Sequence, residues 1–118
     1  MNNRIRETRV EIRRLSPTEA EVWVFAELNW VTPGTELRGR LVGPQCPGVT
    51  TVEISYPFRR PQRSDGNSAS TLAVHVLIPE PNLWTEQTPF VYQGPLELWQ
   101  DGARSDTITV SVGLKFAS

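Results

Sequence analysis

The chain has 118 residues, a formal net charge of −1, 38% hydrophobic residues and 21% charged residues. A chain of this length buries roughly two-thirds of its unfolded surface, enough for one core and not two, so residues 1–118 read as one domain. The near-neutral charge supplies no global field to draw nucleic acid or anionic lipid, and the single cysteine, Cys46, excludes an intramolecular disulfide.

Period-two alternation recurs along the chain and helical periodicity is nearly absent. Val10 and Ile12 alternate with Arg9, Glu11 and Arg13 in a first strand, and Ser16-Pro17-Thr18-Glu19 turns the chain, with Pro17 presetting φ. A second strand is expected from Ala20 to Leu28, with Val22, Val24, Ala26 and Leu28 on one face and Trp23 and Phe25 on the other. Thr32-Pro33-Gly34-Thr35 is the next turn, and Leu37, Gly39 and Leu41 alternate with Arg38 and Arg40 in a third strand. Gly43 to Gly48 reads as a loop, and Val52, Ile54 and Tyr56 as a fourth strand closed by Pro57. Arg59 to Ser68 is almost free of apolar residues and reads as an exposed, mobile loop. Leu72, Val74, Val76 and Ile78 give the cleanest alternation, ended by Pro79, and Asn82 to Gln87 is the one candidate helical turn. Leu96 and Leu98 mark a sixth strand, Asp101-Gly102 a turn, and Ile108, Val110, Val112, Leu114 and Phe116 one face of a seventh. Ten prolines and eight glycines suit this turn-rich pattern. The fold predicted is an all-β, immunoglobulin-like antiparallel β-sandwich of about seven strands. Its core should hold Val22, Val24, Leu72, Val74, Val76, Leu96, Leu98, Val110 and Val112.

Chemistry-bearing residues are sparse. His75 is the only histidine and lies on the face opposite Val74 and Val76, and a lone histidine supplies no metal cluster. Cys46 has no local base and reads as a plain loop thiol. Glu80, Glu86, Asp101 and Asp106 fall in turns and at strand ends, where carboxylates serve solubility and capping rather than a catalytic pair. The basic run Arg59, Arg60 and Arg63 reads as a solvated loop. No catalytic residue, cofactor or metal is therefore expected, nor a nucleic-acid or membrane partner. The first seven residues lack the apolar stretch of a secretory leader and no run reaches membrane-spanning length. The compartment stays open, with one cysteine compatible with the cytoplasm.

The aromatics are the better lead. Parity sets Trp23, Phe25 and Trp99 opposite the aliphatic face. Either an edge loop or long arginine stems cover them, or they form a docking surface or a platform for sugar rings together with Trp30. An uncovered face of this kind would seek a partner, with two-fold pairing into a homodimer the commonest result.

The stretch Pro81-Asn82-Leu83-Trp84-Thr85-Glu86-Gln87-Thr88-Pro89-Phe90-Val91-Tyr92 resembles the Trp/Pro/Tyr corner in the immunoglobulin-like sandwich domains of family 2 glycoside hydrolases, the β-galactosidases, β-glucuronidases and β-mannosidases. The similarity runs from Ile78 to Lys115. Leu96-Glu97-Leu98, Asp101-Gly102 and Val112-Gly113-Leu114-Lys115 stand at the family's strand, hairpin and closing motif. Glu86 replaces its second corner proline and Lys115 its closing arginine. The resemblance implies a structural corner of Trp84, Pro89 and Tyr92, with Trp84 and Tyr92 buried and the tyrosine hydroxyl returned to the backbone. It also implies a non-catalytic accessory domain, because the family's chemistry sits on a separate barrel. Partners would be other domains of a glycosidase, another protein, or a carbohydrate. A free-standing interaction module and a carbohydrate-binding module are the alternatives.

Overall fold

The computed structural model describes residues 2–61 and 68–115, and the described residues contain no helix. Seven strands follow in chain order: β1 (Ile5–Leu15), β2 (Glu19–Leu28), β3 (Thr35–Gln45), β4 (Ile54–Pro57), β5 (Thr71–Pro79), β6 (Val91–Gln100) and β7 (Ala103–Val112). They form two antiparallel sheets, ordered β1-β2-β5 and β4-β3-β6-β7. This is the immunoglobulin-like sandwich that the alternation predicts.

The core lies where the alternating apolar rows of the two sheets face each other. Ala20, Val22, Val24, Ala26 and Leu28 of β2 meet Leu37, Leu41, Leu96, Leu98, Val110 and Val112 of the other sheet. Of the nine core residues predicted, eight are buried, and Leu72 packs against the cluster from a half-buried position. Val74 and Val110 are buried, while His75 and Ser111 point away from the core.

Four local expectations change. β3 does not stop before Gly43. It continues through the cis Gly43–Pro44 peptide to Gln45, because Gly43 still pairs with Ile54 and Gln45 with Val91. β4 begins at Ile54, leaving Val52 outside it and 85% exposed. Asn82 to Gln87 forms no helical turn. A Thr85–Thr88 turn and a Trp84–Pro89 bridge hold this segment instead. A proline, having no N–H for a ladder, marks an edge or bulged strand, yet β6 is interior, between β3 and β7, and carries Pro95. Its carbonyl lies against Gly39, whose φ is 136°, and the Arg40/Pro95 and Leu41/Gly94 positions drop out of the β3–β6 ladder. A gap in one ladder thus accommodates the missing N–H. Arg63, most of the loop Arg59–Ser68, and Phe116 lie outside the described residues.

The chain enters and leaves at opposite ends of the strands. Asn3 binds the Trp30 carbonyl (2.9 Å) and Gln100 (3.1 Å) at one end. Leu114 accepts the Trp84 N–H (2.7 Å) at the other. The molecule measures 45 × 26 × 21 Å.

Candidate functional site

The corner between β5 and β6 is built from the backbone outward. Glu80 takes a left-handed turn conformation (φ 47°) and its N–H donates to the Thr18 carbonyl, 2.9 Å. Tyr92 then enters the core, 1% exposed, and its hydroxyl accepts the Asn82 N–H at 3.0 Å. This is the return bond expected of a tyrosine corner. The Tyr56 ring meets it edge-on at 6.1 Å. Burial pushes the Tyr92 phenol above its ordinary pKa, and the Asn82 bond opposes this in part. Trp84 departs from expectation. It is half-buried and lies over the exit from β7 rather than between the sheets. Its indole rests on Gly113, where a Cβ would come within 2.9 Å of the ring, and the Lys115 ammonium stands 4.9 Å from the ring centroid. Gly113 allows the close approach, and Lys115 in place of arginine still serves as a cation on the indole.

The aromatic set divides into three places. Trp23 and Phe25 lie on the outer face of β2, each only 7% exposed, with rings stacked at 6.0 Å. The Arg13 guanidinium sits 3.8 Å from the Trp23 centroid and Arg9 sits 4.2 Å from that of Phe25. Glu11 binds both arginines, at 2.9 and 3.1 Å. These hydrogen bonds hold the Glu11 carboxyl below the usual carboxylate range. His75, across from Trp23 in the β2–β5 register, stacks on it at 5.0 Å and 20°. Its Nδ1 makes no hydrogen bond among the described residues.

Trp99 lies on the outer face of the other sheet. Arg38 covers it at 4.1 Å, and its indole N–H donates to Glu97 at 3.1 Å. Glu36 binds Arg38 and Arg60, each at 3.1 Å, and these contacts lower its pKa, hydrogen bonding by Arg38 first. Trp30 sits at the entry end, where its backbone N–H donates to Asn3 Oδ1 at 3.3 Å. The contiguous surface expected from Trp23, Phe25 and Trp99 is therefore absent. The parity argument holds for all three, but they belong to opposite sheets, and arginines of the neighbouring strands lie over the rings. The signal for that cover was the row Arg9-Glu11-Arg13, which shares its parity with Trp23 and Phe25.

The remaining candidates fall at both ends of the sandwich and on its strands. Glu80 and Glu86 lie at the corner end, while Asp101 lies in the β6–β7 turn at the other, with φ 52°. Asp106 accepts the Ile5 N–H (2.9 Å) and faces Arg4 at 3.8 Å. Cys46 is buried, its thiol 3.7 Å from the Pro47 carbonyl. Arg59 bonds through its backbone to His75. Among the described residues no three His, Cys, Asp or Glu side chains are grouped to hold a metal, and no helix is long and apolar enough to cross a membrane. A feature without a sequence signal is Asn3, 1% exposed, which ties the entry segment to Trp30 and Gln100.

Residues 3–115 match the family model of glycosyl hydrolases family 2. The chain belongs to that family. Among solved structures it is similar to a glycosyl hydrolase family 2 member from Bacteroides cellulosilyticus (TM-score 0.65, 22% identity, 95% of this chain and 15% of that one). It is also similar to a Bifidobacterium dentium β-glucuronidase (0.63, 14%, 96% and 18%) and to a β-glycosidase from Bacteroides vulgatus (0.60, 14%, 96% and 13%). The family 2 chain thus spans less than a fifth of each of these proteins. No curated protein matches it.

Proposed function

We propose that this family 2 chain is a non-catalytic accessory sandwich that spaces, orients and docks the domains of a glycosidase. The observation that supports this reading most is one of proportion. Residues 3–115, nearly the whole chain, match the family model, yet the chain corresponds to 15% of the Bacteroides cellulosilyticus enzyme. The geometry agrees with it. Entry at Asn3 and exit at Leu114 lie at opposite ends of a body 45 Å long, so the fold sets a separation between whatever precedes and follows it. Both ends are fastened, the first by Asn3 and the second by the Trp84–Leu114 bond. A sugar platform needs a free aromatic face, whereas guanidinium groups stand over Trp23 and Trp99. A glycosidase pair needs carboxyls roughly 5–9.5 Å apart across a cleft; Asp101 lies at the opposite end of the sandwich from Glu80 and Glu86, which leaves those two as the pair to test.

The test is an assay of the purified chain against a panel of aryl β-galactosides, β-glucuronides and β-mannosides. The expected outcome is no turnover above buffer. Turnover that survives purification and disappears in Glu80→Gln or Glu86→Gln would overturn the reading.

A further inference from the structure

The two sheets present four edge strands, and three of them are protected against pairing. β1 carries Arg6, Glu7, Arg9, Glu11, Arg13 and Arg14 within eleven residues. β4 has four residues and ends in Pro57. β5 is engaged at its free edge, where His75 exchanges backbone hydrogen bonds with Arg59 at 2.8 and 2.9 Å. Charge, shortness, proline and cover are the usual devices against edge-to-edge association.

β7 has none of them over its second half. The entry segment covers its beginning, through the Ile5 N–H to Asp106 and the Ser105 hydroxyl to the Asn3 carbonyl. From Thr107 to Val112 the strand reads Thr-Ile-Thr-Val-Ser-Val, without charge, proline or glycine and rich in β-branched residues. Such a segment favours strand pairing.

The orientation of its backbone follows from Pro95. That residue has no N–H and turns its carbonyl toward Gly39 of β3, so Thr109, its partner in register, is not hydrogen-bonded to β6. The Thr107 N–H likewise turns away and is taken by its neighbour's carboxylate, Asp106 Oδ1, at 2.9 Å. With a period of two, the backbone groups of Thr107, Thr109 and Ser111 all point to the open edge. Ile108, Val110 and Val112 bond to β6 and face the core.

We propose that this edge is an interface between two copies of the chain. β7 pairs antiparallel with its two-fold mate around Thr109, joining two four-stranded sheets into one of eight. A second copy fits for three reasons. An uncharged strand meets itself antiparallel without repulsion. Thr107 then faces Ser111 of the mate, so the open Thr109 amide meets the mate's Thr109 carbonyl and the open Ser111 amide meets the mate's Thr107 carbonyl, while the Thr107 N–H keeps Asp106. The other edges are blocked, so association closes at two rather than growing into a fibre.

Sedimentation velocity of the 118-residue chain over a wide concentration range, with hydrogen exchange read residue by residue, tests this. The expected result is a reversible monomer–dimer equilibrium, with the Thr109 and Ser111 amides protected only in the dimer. Thr109→Lys places two ammonium groups beside the axis, where paired Cα atoms are about 5.5 Å apart. It should weaken the dimer at least about tenfold while leaving the monomer's unfolding transition in place, since Thr109 is exposed. A monomer at every concentration overturns the proposal. So does a dimer that Thr109→Lys leaves intact, or one in which Thr109 and Ser111 exchange freely.

Discussion

The Tyr92 hydroxyl ties the corner to the core. Its ring is buried and it takes the Asn82 N–H, so Tyr92→Phe leaves that donor without its partner while keeping the packing. The expected cost is about 1–3 kcal/mol by denaturant unfolding. A pH signature accompanies it. Burial raises the phenol's pKa in the folded state, above the ordinary value of about 10. Stability from the neutral phenol is then fully present below the unfolded pKa and is lost as pH rises through the folded one. Tyr92→Phe should flatten this alkaline decline in part, Tyr56 being raised by burial as well. Wild-type stability in Tyr92→Phe, with an unaltered alkaline limb, would show that the corner bond is not structural. At the same scale, the sequence displayed the corner residues but not the depth of Trp84. A tryptophan among prolines reads as a buried plug, and only the close approach of Gly113 reveals that the ring lies across the exit strand.

At the scale of elements, β3 and β6 carry a mismatch resolved by two glycines. A side chain on Gly39 would fall on the Pro95 carbonyl, and one on Gly94 on the Arg40 carbonyl. Gly39 also holds φ at 136°. Gly39→Ala should therefore destabilise the domain by at least about 1–3 kcal/mol through backbone strain alone, measured by thermal or denaturant unfolding. A neutral substitution would mean that the β3–β6 ladder has another register. The strands themselves were legible because one face of each is buried. Val22, Val24 and Ala26 alternate with residues of opposite facing, and a slip by one residue would turn the row outward. Where alternation lacked a buried face, reading failed. Val52 continues the pattern of Ile54 and Tyr56 yet stands in solvent, and Gly43-Pro44 looks like a loop because the pairing of Gly43 with β4 and of Gln45 with β6 is a tertiary fact. β2 has a run of five buried residues, Val22 to Ala26. The outer row is buried there because Arg9 and Arg13 reach over it from β1.

For the whole molecule, family membership and sandwich architecture agree with the corner motif, while the candidate interaction surface moves. Sequence parity placed the aromatics outward correctly, but strand order across two sheets, which decides whether outward residues adjoin, is not encoded in parity. On the reading proposed, what the fold offers neighbouring domains is a fixed separation between entry and exit. That separation can be measured directly. Spin labels at Asn2 and Lys115, in a Cys46→Ser background diluted into unlabelled chain, report the end-to-end distance by pulsed dipolar spectroscopy. A rigid spacer gives one narrow distance peak, unchanged across moderate salt because hydrogen bonds and packing fasten the ends and the pair that exposed Arg4 makes with Asp106 at the entry, at 3.8 Å, contributes little. A broad distribution, or one that shifts with salt, would contradict the spacer role.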